Sequence, residues 1–140
     1  MARSNYESFN EQLVADFRAH GGKVSGGPFK GRDLLLLTTK GAKSGVERTS
    51  PVAYTKDGDR YVIVASKGGA PTNPSWYHNL RTHPVVTLEV GPRKFKARAK
   101  ITSGDERRRL YDRHAETHPG FKDYLTKTTR QIPVIILEPE

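Results

Sequence analysis

The chain has no cysteine, a single methionine and a single tryptophan, and only 34% of its 140 residues are apolar. Without thiols there are no disulfides, no thiolate nucleophile and no cysteine-ligated metal, which agrees with a reducing cytoplasm. Long apolar runs are missing as well: residues 34–37 and 62–65 are among the longest, far short of a membrane span. The N-terminal MARSNYESFNEQL has no apolar centre of the kind a secretion signal carries, so a soluble, cytoplasmic protein is expected. The five histidines, His20, His78, His83, His114 and His118, never fall at a metal-ligand spacing, and no pair of carboxylates stands out for acid and base work. A Gly-x-Ser-x-Gly elbow is absent, and the 41–45 loop is too short for a P-loop and lacks its Gly-Lys-Ser/Thr ending. There is no internal repeat and no low-complexity tract. With thiol, metal and triad chemistry all removed, any demanding reaction falls to an organic cofactor.

What the chain does have is positive charge, +9 at pH 7 with a pI near 9.9, so its ligand or partner is expected to be anionic. Charge alone does not choose among nucleic acid, anionic lipid and a phosphorylated cofactor. The charge is organised around residues 38–54, TTKGAKSGVERTSPVAY, where two β-like segments bracket a glycine-bounded loop with Lys40, Lys43, Ser44 and Arg48. Glycines let backbone N–H groups converge, and lysine and arginine pair with a phosphate or carboxylate. Ser66-Lys67-Gly68-Gly69 repeats the same chemistry at the end of the next apolar run.

A length of 140 residues suits one domain with a real core. We divide it into an N-terminal helix and loop, 1–33, and a cofactor-binding barrel, 34–140. Tyr6, Phe9, Leu13 and Phe17 recur at helical spacing, with Ser4 and Glu7 as a capping box and Gly21-Gly22 as the stop. Lys23, Lys30 and Arg32 lie in the loop that follows, which reads as solvated, with the lining of a ligand entrance as the alternative. Strands are expected over 34–39, 47–55, 61–65, 85–90, 95–101 and 132–137, with a hairpin turn at 56–59 whose Asp-Gly tolerates positive φ. The unbroken 61–65 run predicts a strand buried on both faces. A short helix follows Asn73 as cap and Pro74 in its first turn, and ends near Leu80. Another covers 104–116, with Asp105 and Glu106 in its first turn and Leu110, Tyr111, His114 and Ala115 near one face; a shorter segment, 121–125, comes after it. In 95–101, alternation points Phe95, Ala97, Ala99 and Ile101 inward and Lys94, Lys96, Arg98 and Lys100 outward, where they read as lysines guarding a solvated sheet edge. About six mostly antiparallel strands with peripheral helices describe an α+β barrel rather than a doubly wound fold.

The strings TTKGAKSG, RTSPVAY, YVIVASKGGAPTNPSWYHNL and TRQIPVIILEP, in that order from about residue 34 to 139, resemble the deazaflavin (F420)-dependent nitroreductase and quinone reductase family of actinobacteria. The resemblance implies the split β-barrel fold of FMN-binding proteins and coenzyme F420 as cofactor. It implies a phosphate-binding loop at Lys43, Ser44 and Gly45 with Arg48 following, and Pro51 packed near the deazaflavin ring. It further implies that Val64, Ala65, Ser66, Lys67, Gly68 and Gly69 run along the ring's edge and that Trp76 buttresses the pocket. Ser66 and Tyr124 are the candidate catalytic donors to the reduced substrate oxygen. The family's oligoglutamate-tailed cofactor accounts for much of the positive charge.

Some positions depart from the family. Ala42 replaces an arginine, a loss of one charge-assisted contact of roughly 1–3 kcal/mol. Ala53, His118 and Phe121 replace substrate-side tyrosines, while Tyr124 is kept. Nitroimidazole activation is therefore not carried over. The expected activity is hydride transfer from reduced F420 to a quinone-like, conjugated or nitro acceptor, by a monomer or homodimer with no nucleic-acid partner and with peripheral membrane contact left open. Two alternatives stay open: an FMN enzyme of the same fold, and a basic non-enzymatic module binding nucleic acid or anionic lipid through the 94–100 face.

Overall fold

The fold is given by a computed structural model, which describes residues 5–22, 34–66, 73–118 and 131–140. In chain order the elements are α1 (Asn5–Ala19), β1 (Leu34–Lys40), β2 (Glu47–Ala53), β3 (Thr55–Asp57), β4 (Arg60–Val64), α2 (Ser75–Thr82), β5 (Val85–Val90), β6 (Arg93–Ile101), α3 (Gly104–Thr117) and β7 (Val134–Pro139). The strands form one seven-stranded sheet in the order β2-β1-β5-β6-β7-β4-β3, with antiparallel pairing throughout. Its two edge strands are consecutive in the chain, separated only by Tyr54. One bent segment thus pairs with β1 at one end and β4 at the other, and the sheet curls round to meet itself. The expected single strand over 47–55 is broken at Tyr54, which turns the expected six strands into seven without changing the α+β split barrel.

The barrel interior is apolar because alternate residues point into it. Leu35 and Leu37 of β1, Tyr61 and Ile63 of β4, Leu88 of β5, Ala97 of β6, and Ile135 and Leu137 of β7 form one buried cluster. Trp76, Tyr77 and Leu80 of α2 join it. The other face of β4 and β7, Val62, Val64, Val134 and Ile136, packs against Leu110, Tyr111 and Ala115 of α3. This is why the 61–65 run is apolar without interruption: both of its faces are covered. Each fully buried aliphatic side chain contributes roughly 1.5–3 kcal/mol, against about 0–1 kcal/mol for a surface ion pair, so packing rather than charge pairing holds the barrel.

Ion pairs instead fix where the helices dock. Arg18 of α1 grips Glu89 of β5 through two bonds, at 3.0 and 2.9 Å, and holds that carboxyl below its usual range. Phe17 is buried one residue before it, and Leu13 packs on Leu34 and Ala53. The side chains of Tyr6 and Phe9, together with Ser4, Lys23, Lys30 and Arg32, lie outside the described residues. On the opposite side, Asp57 of β3 is ringed by Arg60, by Arg109 at 3.5 Å and by Arg113 at 3.5 Å, the last two from α3. The Arg60 hydrogen bond, followed by that of Arg109, holds the Asp57 carboxyl below its ordinary value.

Three expectations change. Helix α2 is capped by Pro74 and not Asn73: Pro74 is extended, with φ −66° and ψ 153°, and its carbonyl accepts the Tyr77 N–H at 3.1 Å. Proline's fixed φ suits that place, and no side-chain cap bond forms. Ile101 is 41% exposed because it occupies the last rung of the β6–β7 ladder, past the core. The Lys94, Lys96, Arg98 and Lys100 row does not guard an edge, since β6 lies between β5 and β7. The row is an exposed face of an interior strand. The 121–125 segment lies outside the described residues.

Candidate functional site

The turn from β1 to β2 is closed by its own backbone. The Gly41 N–H donates to the Val46 carbonyl at 2.8 Å, and the Gly45 N–H donates to the Gly41 carbonyl at 3.0 Å. Glycine suits both places: Gly45 has φ +72°, and a Cβ on Gly41 would fall 2.5 Å from Ser44 Oγ, which would have to move. Ser44 Oγ accepts the Val46 N–H at 3.2 Å, which leaves the serine O–H to be given outward. The Lys40 stem lies over the turn, its Cε 3.7 Å from the place a Gly45 Cβ would take. Lys43, Ser44 and Arg48 are exposed beside it. Two ammonium groups, a guanidinium and a hydroxyl around a turn that a Cβ would fill make a donor set suited to phosphate.

Asn79 fixes that turn to the barrel. This residue of α2 is 9% exposed; its Oδ1 accepts the Ala42 N–H at 3.0 Å, and its Nδ2 donates to Thr39 Oγ1 at 3.1 Å. Thr39 is opposite Arg48 in the β1–β2 register, so Arg48 shares the face of β2 that also carries Ser50 and Val52. Pro51 takes the other face by alternation, opposite Leu36. One turn back along α2 from Asn79, Trp76 is 9% exposed and belongs to the buried cluster that holds Ala65 and touches Val52.

The expected site residues therefore fall into groups. Lys43, Ser44, Gly45 and Arg48 are together on the turn and the start of β2, and Asn79 ties them to α2 and so to Trp76 and Ala65. Val64 belongs to the face of β4 that packs on α3, and Ser66, two residues on, is 6% exposed. Lys67, Gly68, Gly69, Phe121 and Tyr124 lie outside the described residues. Asn79 was not singled out from the sequence. Its signal was there: a polar residue on the helix face that otherwise shows Trp76, Tyr77 and Leu80 to the core.

His118, at a position where the family resemblance places a tyrosine, is 3% exposed and its Nε2 lies 3.0 Å from the Tyr54 carbonyl. Its ring is 4.8 Å from that of His114, which is fully buried with Nδ1 at 3.3 Å from Thr55 Oγ1. Burial first, and then the neighbouring His118, lower the His114 pKa to about 3. The pair ties the end of α3 to the bend between β2 and β3. Ala53, at another such position, packs against Leu13 and Leu34. Among the described residues no group of histidine, aspartate and glutamate side chains could hold a metal ion.

The chain is similar to known proteins in both sequence and fold. The family model described as F420H(2)-dependent quinone reductase matches residues 10–139. An F420H(2)-dependent quinone reductase of Mycobacterium tuberculosis is 41% identical over 120 residues, which cover 84% of this chain and 78% of that protein. Among solved structures, an F420-H2-dependent reductase superposes with a TM-score of 0.71 at 40% identity, over 76% of this chain and 95% of that one. A domain-swapped dimer superposes with a TM-score of 0.73 at 34% identity, over 96% of this chain and 100% of that one.

Proposed function

The chain belongs to the F420H(2)-dependent quinone reductase family, and on that premise we propose that the turn between β1 and β2 is where it grips the phosphate of coenzyme F420. It is an oxidoreductase, and F420, not FMN, is its cofactor. The observation that carries the reading of the turn is its attachment: a glycine turn crowded with Lys40, Lys43 and Arg48, held to α2 by Asn79.

In this reading Lys43 and Arg48 supply charge, Ser44 supplies a hydroxyl donor, and Gly45 keeps Cβ atoms out of the way. Pro51, Ala65, Ser66 and Trp76, with the backbone of Val64, whose side chain packs on α3, and continued by Lys67, Gly68 and Gly69, border the ring. When bound and reduced, F420 supplies a hydride, because carbon replaces the flavin N5. The chain's own part is to orient that cofactor and to exclude water. Val52, Ala65 and Trp76 form the apolar wall, and electrostatic contacts inside such a wall strengthen as water leaves. Ser66, which is buried, is assigned as the donor of a proton or hydrogen bond to the reduced oxygen of the acceptor, with Tyr124 as the second donor.

The acceptor is a quinone, a flat conjugated molecule that can lie on the exposed side of the ring. A cytoplasmic location, with any membrane contact peripheral, fits a chain in which, among the described residues, no helix is long and apolar enough to cross a membrane. A homodimer is the assembly that the domain-swapped relative favours.

Fluorescence titration of F420 tests the assignment. Lys43→Ala should raise the Kd about ten- to a hundredfold, the worth of one charge-assisted phosphate contact. Affinity equal to wild type removes the turn from the cofactor site. Ser66→Ala should bind F420 normally and slow quinone reduction; full turnover in that variant removes Ser66 from the chemistry.

A further inference from the structure

Tyr54 stands outside both ladders that flank it: β2 pairs with β1 as far as Ala53, and β3 begins its pairing with β4 at Thr55. A side chain holds its backbone instead. The Tyr54 carbonyl can only accept, so His118 Nε2, 3.0 Å away, carries a proton and donates it to that bond. The next residue is held in the same way, with Thr55 Oγ1 at 3.3 Å from His114 Nδ1. His114 is in the last turn of α3 and His118 caps it; both are buried, with their rings 4.8 Å apart. Burial, and then His118, lower the His114 pKa to about 3, so the second ring packs on the first without like-charge repulsion. From inside the barrel the Tyr54 ring meets that of Tyr61 edge-on, 5.4 Å between centroids. The bend is gripped from both sides.

This grip joins two parts of the reaction. Back along the chain, the bend leads through Ala53 and Val52 to Pro51, on the strand assigned above to the edge of the cofactor ring. On the other side, α3 ends at His118, whose N–H donates to the His114 carbonyl at 2.9 Å, and six residues further on in sequence is Tyr124, the second donor to the acceptor in the reading above. The phosphate turn is remote from all of this. It adjoins Glu47, the first residue of β2, whereas the bend follows Ala53, the last; six rises of about 3.3 Å put roughly 20 Å between them.

We propose that His118 is a positioning residue for the reduction: its bond to the Tyr54 carbonyl sets the distance between the strand that borders the cofactor ring and the segment that carries the acceptor's donor. The proposal rests on the F420 reading above and goes beyond it, because His118 stands where the family resemblance places a substrate-side tyrosine. Buried and bonded to the bend, the histidine acts through Tyr54 and not on the acceptor itself. His114 holds its ring in place and ties the neighbouring Thr55 to the same helix end.

The test compares His118→Gln, His118→Asn and His118→Phe. A glutamine amide carries its N–H about as far from the backbone as the histidine Nε2 does and keeps the donor; asparagine is one methylene shorter and does not reach, and phenylalanine keeps a ring without a donor. With reduced F420 as donor and a naphthoquinone as acceptor, the asparagine and phenylalanine variants should lose about tenfold in kcat/KM, the worth of one hydrogen bond, with a raised KM for the quinone. Their Kd for F420, read by fluorescence, should stay within about twofold of wild type, because the phosphate contacts are untouched. Glutamine should restore most of the lost kcat/KM. Wild-type kinetics in the asparagine variant overturn the proposal, as does a glutamine variant no faster than the asparagine one. Lowered thermal stability with unchanged kcat/KM makes the bond structural only and overturns it too. Glutamine against asparagine decides the question even where the phenylalanine variant does not fold. Failure of wild type to bind F420 or to reduce the quinone overturns the cofactor reading itself, which the histidine variants alone leave standing.

Discussion

The side chain of Asn79 holds the backbone of Ala42: its Oδ1 accepts the Ala42 N–H at 3.0 Å while its Nδ2 reaches Thr39 Oγ1 at 3.1 Å. A helix residue thereby sets the position of a turn 37 residues away in sequence. Truncation to alanine leaves the Ala42 N–H and the buried Thr39 hydroxyl without that partner, a cost of about 2–3 kcal/mol. We expect Asn79→Ala to lower the thermal midpoint and to weaken F420 binding together, raising the KM for the cofactor more than it lowers kcat. Asn79→Asp keeps the acceptor for Ala42 and should recover part of the affinity. An Asn79→Ala protein that is less stable but binds F420 as wild type does would show that the bond is structural only.

A second contact depends on a missing side chain. Gly22, just after α1, has φ +91°, and a Cβ there would fall 2.1 Å from the Gly91 Cα in the β5–β6 turn. The Gly91 atoms it meets are backbone and cannot swing aside. Gly22→Ala should displace the end of α1 and strain the nearby Arg18–Glu89 pair, costing about 2–4 kcal/mol in urea denaturation. Gly21→Ala is the control: φ is +63° and nothing lies within 4 Å, so only the backbone cost of about 1 kcal/mol applies. Equal losses in the two variants would mean that the Gly22–Gly91 approach carries no weight.

Much of this was legible from the residues. Strand periodicity found β1, β4, β5, β6 and β7 because alternation, or an unbroken apolar run, reports directly which faces are covered. Helix α3 was readable from its acidic first turn and from Leu110, Tyr111, His114 and Ala115, all of which are buried. The bend at Tyr54 was not readable, because β2 and β3 have ordinary strand composition and only closure of the sheet requires them to face different partners. The role of the Lys94 to Lys100 row was misread for a related reason: outward lysines look the same on an edge strand and on an interior strand with an open face. Within the site, the glycine and lysine chemistry of the turn was visible, but Asn79 was not, since its partners are brought to it only by folding.

The last expectation concerns acid. His114 is fully buried, sits 4.8 Å from the His118 ring, and has its pKa lowered to about 3, chiefly by desolvation. In the unfolded chain the same imidazole takes a proton near 6.5. The unfolded state is then the better proton binder between those values, so this residue's contribution is intact above pH 6.5 and is lost as pH falls toward 3. Each unit is worth up to about 1.4 kcal/mol, so a drop from pH 7 to pH 5 should cost about 2 kcal/mol from this residue alone. Chemical denaturation of wild type and His114→Leu at the two pH values isolates it, because groups elsewhere are common to both proteins. The leucine variant forfeits the contact with Thr55 and is expected to be less stable at pH 7, yet to lose about 2 kcal/mol less on acidification. If both proteins lose stability in parallel, acid acts elsewhere, and the Asp57 carboxyl, held low by Arg60 and Arg109, becomes the next group to substitute.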